Sequence, residues 1–236
     1  MRLTTPVFRL KRHAKALASE AGIPLHAALD RIARREGFQN WSHLASAAEP
    51  VSRAGKLLNG LAPGSLALLA ARPGQGKTVL GLELLLEAVR AGRPAAFFTL
   101  EYTAAQTREW LARLGGTPEE VARVQVDATE EICADHIIAG LNGMGSGAVA
   151  VVDYLQILDQ PRSRPELAVQ VAALHAYSRQ SGTVIALLSQ ITRAFDSSGS
   201  KMPGFNDLRL PDPLDVSLFG TACFLQDGEI RVESRS

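Results

Sequence analysis

An eight-residue segment, Ala71-Arg-Pro-Gly-Gln-Gly-Lys-Thr78, limits this chain most, because it lies directly between an apolar run, Leu66 to Ala70, and a helical pattern, Leu80 to Val89. A strand that passes through a glycine-rich turn into a helix is the context a phosphate cradle requires. Gly74 and Gly76 let backbone N–H groups curl around an anion, and the helix that starts there adds its positive dipole end. Lys77 can reach the β and γ phosphates, and the Thr78 hydroxyl can ligate Mg²⁺. Arg72, Pro73, Gly74, Gln75, Gly76, Lys77 and Thr78 are the expected nucleotide-binding set. The flanking elements argue against a chance glycine-rich turn.

After Glu49-Pro50-Val51-Ser52, short β-type apolar runs alternate with helical patterns, which is the signature of a parallel sheet with crossover helices. The runs are Leu66 to Ala70, Ala95 to Leu100, Ala148 to Val152 and Thr183 to Leu188, with Leu80 to Val89 and Leu167 to Arg179 as the clearest helices. Asp227-Gly228 reads as a hairpin turn. In a parallel sheet the ligand crevice lies beyond the carboxyl ends of the strands, so the residues that end these runs face the bound ligand. They are Glu101, Asp153 and Gln190. Asp153 suits Mg²⁺ at a phosphate loop, with a helix N-cap as its alternative. Glu101 suits a general base that orients water toward the γ-phosphate, against a plain surface acid. Gln190 suits a γ-phosphate sensor, against a strand-end amide. The following stretch, Ile191 to Pro213, carries Arg193, Lys201, Arg209 and three prolines, and is expected to be a mobile loop suited to a nucleic-acid backbone.

The amino-terminal part differs in character. Residues 1–46 hold eight Lys or Arg against three acids, a net of +5 in a chain whose total is +1. Leu10, Ala14 and Leu17 share one helical face, as do Leu25, Ala28, Leu29 and Ile32, with Gly22-Ile23-Pro24 as a break and Gly37 as a C-cap. The expected organisation is a small all-α basic domain over 1–48, a linker over 49–56, and an α/β domain over 57–236. Arg9, Lys11, Arg12 and Lys15 form a basic stripe that suits phosphates or an acidic partner, or simply a solvated face. His13, His26 and His43 have no i, i+4 acid or histidine and read as surface or packing residues. Two cysteines are too few for a disulfide scaffold, and no apolar run approaches the roughly 18 residues of a membrane span, so a cytoplasmic setting is expected.

The segments ARPGQGKT, FFTLEYTAAQ, VAVVDYLQIL, LLSQITRAF and KMPGFNDLR, in that order, resemble the successive motifs of the ATPase domain of DnaB-type replicative helicases, within the RecA-like P-loop NTPase superfamily. The similarity runs from about Leu57 to Leu225. It implies a RecA-like fold with a mostly parallel central sheet, ATP and Mg²⁺ as cofactors, and DNA, single-stranded by expectation, as partner. By position it implies Lys77 and Thr78 on phosphates and metal, Glu101 as catalytic base, Asp153 on metal, Gln190 as sensor, and the Arg193 to Arg209 region at nucleic acid. The basic helical part is similar to short modules ahead of some glyoxalase-superfamily domains, which implies no metal or catalytic role. In the helicases a basic strand reaches into the neighbouring subunit's ATP site. The corresponding end here offers Arg231 and Arg235, neither at that spacing. The expectation is therefore a monomer or weak homo-oligomer with slow basal turnover, activated by nucleotide, nucleic acid or an arginine-donating partner. Two functions fit: a DnaB-like helicase or DNA-stimulated ATPase, and a truncated helicase-like regulatory or adaptor module with little turnover.

Overall fold

The computed structural model describes residues 7–47, 52–130, 132–155, 158, 165–210 and 214–234. Two compact units result, Met1–Ser52 and Arg53–Ser236. The first is helical: α1 (Val7–Ala21), α2 (Leu25–Arg35) and α3 (Trp41–Ala47). Its core is the expected apolar face, with Leu10, Ala14, Ala28, Ile32, Phe38 and Leu44 buried. Gly37 adopts φ 86° just past α2, and the Phe38 N–H reaches back to the Ala33 carbonyl at 2.9 Å, which caps the helix as its position foretells.

The second unit opens with α4 (Arg53–Gly60), so residues 53–56 are helix where the sequence suggested linker. Ala54, Leu57 and Leu58 are buried, and that apolar spacing holds the helix. Seven strands follow: β1 (Leu66–Ala71), β2 (Ala95–Thr99), β3 (Val124–Asp127), β4 (Val149–Asp153), β5 (Val184–Gln190), β6 (Phe219–Gln226) and β7 (Glu229–Ser234). Between them lie α5 (Lys77–Arg90), α6 (Ala104–Arg113), α7 (Pro118–Ala122), α8 (Ala134–Leu141) and α9 (Leu167–Ser181). The sheet order is β3-β2-β4-β5-β1-β6-β7, parallel throughout except for β7. Asp227 and Gly228, at φ 48° and 79°, make the tight turn that joins β6 to β7.

Helices cover both faces of the sheet, so its central strands must be apolar at every position rather than at alternate ones. In β1, Ala67, Leu69 and Ala71 enter the core shared with α4 and α5, whereas Leu66, Leu68 and Ala70 enter the core shared with α8 and α9. Gly81 lets α5 lie close on the sheet: a Cβ there would stand 3.0 Å from Val151 Cγ1 and 3.3 Å from Leu188 Cδ1. Gly81→Leu is expected to lower stability by about 1–3 kcal/mol through overpacking. A lower urea midpoint at unchanged m-value measures it.

Candidate active site

The carboxyl ends of the parallel strands open on one edge, and side-chain alternation decides which end residues face α5. Phe97 on β2, Val151 on β4 and Leu188 on β5 all belong to the core on the α5 side. Two residues further on, the same parity puts Thr99, Asp153 and Gln190 on that side. Register then brings them side by side, with Thr99 opposite Asp153 and Ala71 opposite Gln190.

Within the turn, Gly74 and Gly76 adopt φ 80° and 88°, a left-handed backbone that side chains rarely accept. A Cβ on either would meet nothing within 4 Å, so conformation rather than crowding selects glycine and the loop stays open beside α5. Lys77 and Thr78 start the helix. Asp153, fully buried, accepts from both: the Thr78 hydroxyl donates to Oδ2 at 2.7 Å, and Lys77 Nζ lies 3.3 Å from Oδ1. The ammonium also stands 5.9 Å from the centroid of the Tyr154 ring. Buried opposite charges persist because each is the other's partner. An ammonium for a polyanion, with a hydroxyl and a carboxylate for a hard cation, is a donor set that fits a magnesium nucleotide.

Glu101 lies two residues past β2, its N–H bonded to Thr99 Oγ1 at 3.0 Å. Partial burial, then the Asp153 carboxylate, push its carboxyl pKa above the ordinary glutamate value, and Lys77 pulls the other way. Burial, Glu101 and Asp153 likewise raise the Tyr102 phenol. These mutual influences put Glu101, Asp153 and Lys77 in one electrostatic neighbourhood.

At the other flank, Arg209 donates from its side chain to Gln190 Oε1 at 3.3 Å and from its backbone to the Gln190 carbonyl at 2.8 Å. Arg193 and Lys201 are exposed on the same segment. The expectation of a loose loop is corrected between Ile191 and Leu210. Phe195 and Leu208 are buried, Ile191 bridges Leu208 antiparallel, and the Thr192 N–H reaches the Asp207 carbonyl at 2.8 Å. Two apolar anchors and a short ladder pin what its glycines and prolines suggested was free.

Arg72 directs its side chain out of the loop. Its guanidinium grips Asp196 and the Ile191 carbonyl, which leaves its backbone, not its charge, for the cradle. Gln75 is tied to the β6–β7 turn, accepting from the Asp227 N–H at 2.8 Å. Arg231 is engaged within its own chain, on the Pro203 carbonyl at 2.7 Å, on Glu233 at 3.0 Å, and over the Phe224 ring. Arg235 lies outside the described residues. His13, His26 and His43 are exposed, and among the described residues no three His, Cys, Asp or Glu side chains cluster to hold a metal. Tyr154, Asp196 and Asp227 are the site residues that motif reading passes over. Tyr154 at least follows Asp153 directly.

Residues 50–131 match the family model of the DnaB-like helicase C-terminal domain. The chain is 27% identical over 197 residues to the replicative DNA helicase DnaB of Helicobacter pylori (strain J99), an overlap of 68% of this chain and 40% of that protein. It is 29% identical over 195 residues to a probable plasmid replicative DNA helicase of Chlamydia trachomatis, 67% of this chain and 43% of the other. The chain thus spans about two fifths of the length of these curated relatives. Among solved structures, one isolated ATPase domain superposes with TM-score 0.60 at 16% identity, covering 82% of this chain and 91% of that one. A DnaB-like replicative helicase, solved in a study of its interactions with primase, gives TM-score 0.62 at 14% identity over 97% of this chain and 74% of that one. The fold is the RecA-like α/β fold with a mostly parallel seven-stranded sheet. Among the described residues no helix is long and apolar enough to cross a membrane.

Proposed function

We propose that this chain binds and hydrolyses ATP with Mg²⁺ as a DnaB-like motor domain that acts on DNA. The observation that carries the reading is the convergence of Lys77, Thr78 and Asp153, with Glu101 and Gln190 on the neighbouring strand ends. Thr78 and Asp153 would hold Mg²⁺, which supplies charge neutralisation at the transferring phosphoryl group. The open loop at Gly74 and Gly76 offers backbone N–H groups to phosphate oxygens, and Lys77 exchanges its buried carboxylate partner for them. Glu101 accepts the proton of the attacking water. Gln190 would sense the γ-phosphate and, through the Arg209 bond to its Oε1, is tied to the segment that follows it. A cavity of about 290 Å³ beside the loop, lined by Gln75, Gly76, Val79, Leu80 and Glu83 among others, gives room for the nucleoside half.

Single-stranded DNA meets the segment from Arg193 to Arg209 in this reading, and the active assembly is a homo-oligomer or a complex with a partner that donates an arginine. The deciding experiment is ATP turnover with and without single-stranded DNA, with light scattering to follow assembly. Turnover that rises with DNA supports the proposal; tight ATP binding with negligible turnover in every condition refutes it.

The basic segment gives a separate expectation. Each neutralised phosphate adds roughly 0.7 to the salt slope of single-strand binding, so replacing Arg193, Lys201 and Arg209 together with alanine should flatten the slope by about 2. Replacing Lys11, Arg12 and Lys15 of the helical unit should leave it intact. The converse pattern, read by fluorescence anisotropy across a salt series, would move the DNA contact to the first unit.

A further inference from the structure

Arg72 occupies the second position of the phosphate-binding loop, yet its three side-chain hydrogen bonds leave that loop altogether. Nε donates to Asp196 Oδ1 at 2.9 Å, one terminal nitrogen to Asp196 Oδ2 at 2.8 Å, and the other to the Ile191 carbonyl at 3.0 Å. The Ile191 N–H in turn donates to the Ala71 carbonyl at 3.0 Å. Residues 71 and 72 therefore hold residue 191 through both of its backbone groups. Beyond the clamp, Asp196 sits in the 3-10 turn Arg193–Ser197, which Phe195 anchors in the core from its buried position. The far limb closes on the near one where Arg209 meets Gln190 and Asp207 meets Thr192.

We infer that the Arg72–Asp196 pair is a strap by which the phosphate-binding loop sets the conformation of the segment Arg193–Arg209, with Arg72 a positioning residue and not a phosphate ligand. The inference rests on the reading that this segment meets nucleic acid. A planar guanidinium held by two parallel bonds fixes both distance and plane, so a shift of the backbone at Arg72 is transmitted to Asp196 instead of being absorbed by side-chain rotation. In the proposed function Gln190 senses the γ-phosphate at the end of β5, whereas the strap would follow the loop that holds the whole phosphate chain. The two connections enter the same segment at opposite ends, Asp196 near its start and Arg209 at its close. Linkage makes the effect reciprocal: nucleic acid on the segment must change nucleotide affinity by the factor by which nucleotide changes nucleic-acid affinity.

The test compares the wild type with Asp196→Asn, Arg72→Lys and Asp196→Glu, each confirmed as folded by thermal unfolding. The readout is the ratio of oligo-dT affinities with and without a non-hydrolysable Mg²⁺–ATP analogue. A ratio cancels the general gain in DNA affinity that removing an acid brings. The wild type should show a coupling factor of at least about fivefold. In Asp196→Asn and Arg72→Lys it should fall to about one, with the nucleotide affinity of Asp196→Asn by calorimetry within about twofold of wild type, and Asp196→Glu should restore most of it. Trypsin supplies a reading free of DNA, because Arg193, Lys201 and Arg209 are exposed cleavage sites on the segment. Analogue-dependent change in cleavage at these sites should vanish in Asp196→Asn and persist in Asp196→Glu. Unaltered coupling and unaltered cleavage in Asp196→Asn would overturn the strap, as would a wild type whose cleavage ignores nucleotide. If the wild type fails to bind oligo-dT, the DNA reading falls and the cleavage pattern alone decides the strap.

Discussion

Lys77→Ala should weaken ATP binding by about a hundredfold or more, equivalent to about 2.7 kcal/mol or more. The substitution acts on binding and on folding in two separate ways. The phosphates lose a charge-assisted donor in a site where Lys77 is only 8% exposed, and such contacts are worth roughly twice a neutral hydrogen bond. Asp153 also keeps just the Thr78 hydroxyl of its two described partners, so a fully buried carboxylate loses its counter-charge. Removing one partner of a buried pair costs about 3–5 kcal/mol of folding stability. The experiment must therefore separate binding from unfolding. Calorimetric titration with Mg²⁺–ATP well below the variant's melting temperature does this, and Lys77→Arg, which retains charge but not shape, is expected to recover stability more than affinity. Wild-type affinity in Lys77→Ala would mean that backbone N–H groups alone hold the phosphates.

The parts of this site that could be read in advance depend on local spacing. An apolar run with no polar interruption marks a strand buried on both faces, and strand parity then carries Asp153 and Gln190 to the α5 side. Glu101 was legible for the same reason, although Thr99 rather than Leu100 closes its strand. Two helices carry signals that hydrophobic periodicity does not: α6 and α7 are each opened by a capping box, Thr103 with Gln106 and Thr117 with Glu120. The edge strand β3, only Val-Gln-Val-Asp, is too short and too polar to stand out. What the sequence concealed was pairing between distant residues. Arg72 and Asp196 are 124 positions apart, and Gln75 and Asp227 are 152 apart. Their meeting follows from β1 lying between β5 and β6, a neighbour relation that no local pattern encodes. The same lack of tertiary information made a pinned segment look like a free loop.

Glu101→Gln should bind Mg²⁺–ATP with near wild-type affinity and lose hydrolysis by about 10²–10⁴-fold, the usual contribution of a positioned general base. The amide keeps the side-chain volume and the Thr99 contact is made by the backbone, so local structure should survive. Single-turnover hydrolysis measured beside equilibrium binding separates the two effects. The pH dependence adds a stricter test. Partial burial and the Asp153 carboxylate raise the Glu101 pKa, so the base form disappears as pH falls through a value above the ordinary glutamate range near about 4.3. The acid limb of the wild-type rate profile should lie above that range, with about tenfold loss per pH unit, and the residual rate of Glu101→Gln should lack this limb. Stability moves in the opposite sense. A carboxyl whose folded pKa is raised favours folding while protonated and gives up that contribution as pH rises through the folded value. At neutral pH the ionised Glu101 therefore opposes folding slightly, and Glu101→Gln should melt no lower than the wild type there, with the difference shrinking toward acid. A variant that loses both activity and melting temperature at neutral pH would reveal a structural carboxylate, and the base would then have to be sought elsewhere on this edge of the sheet.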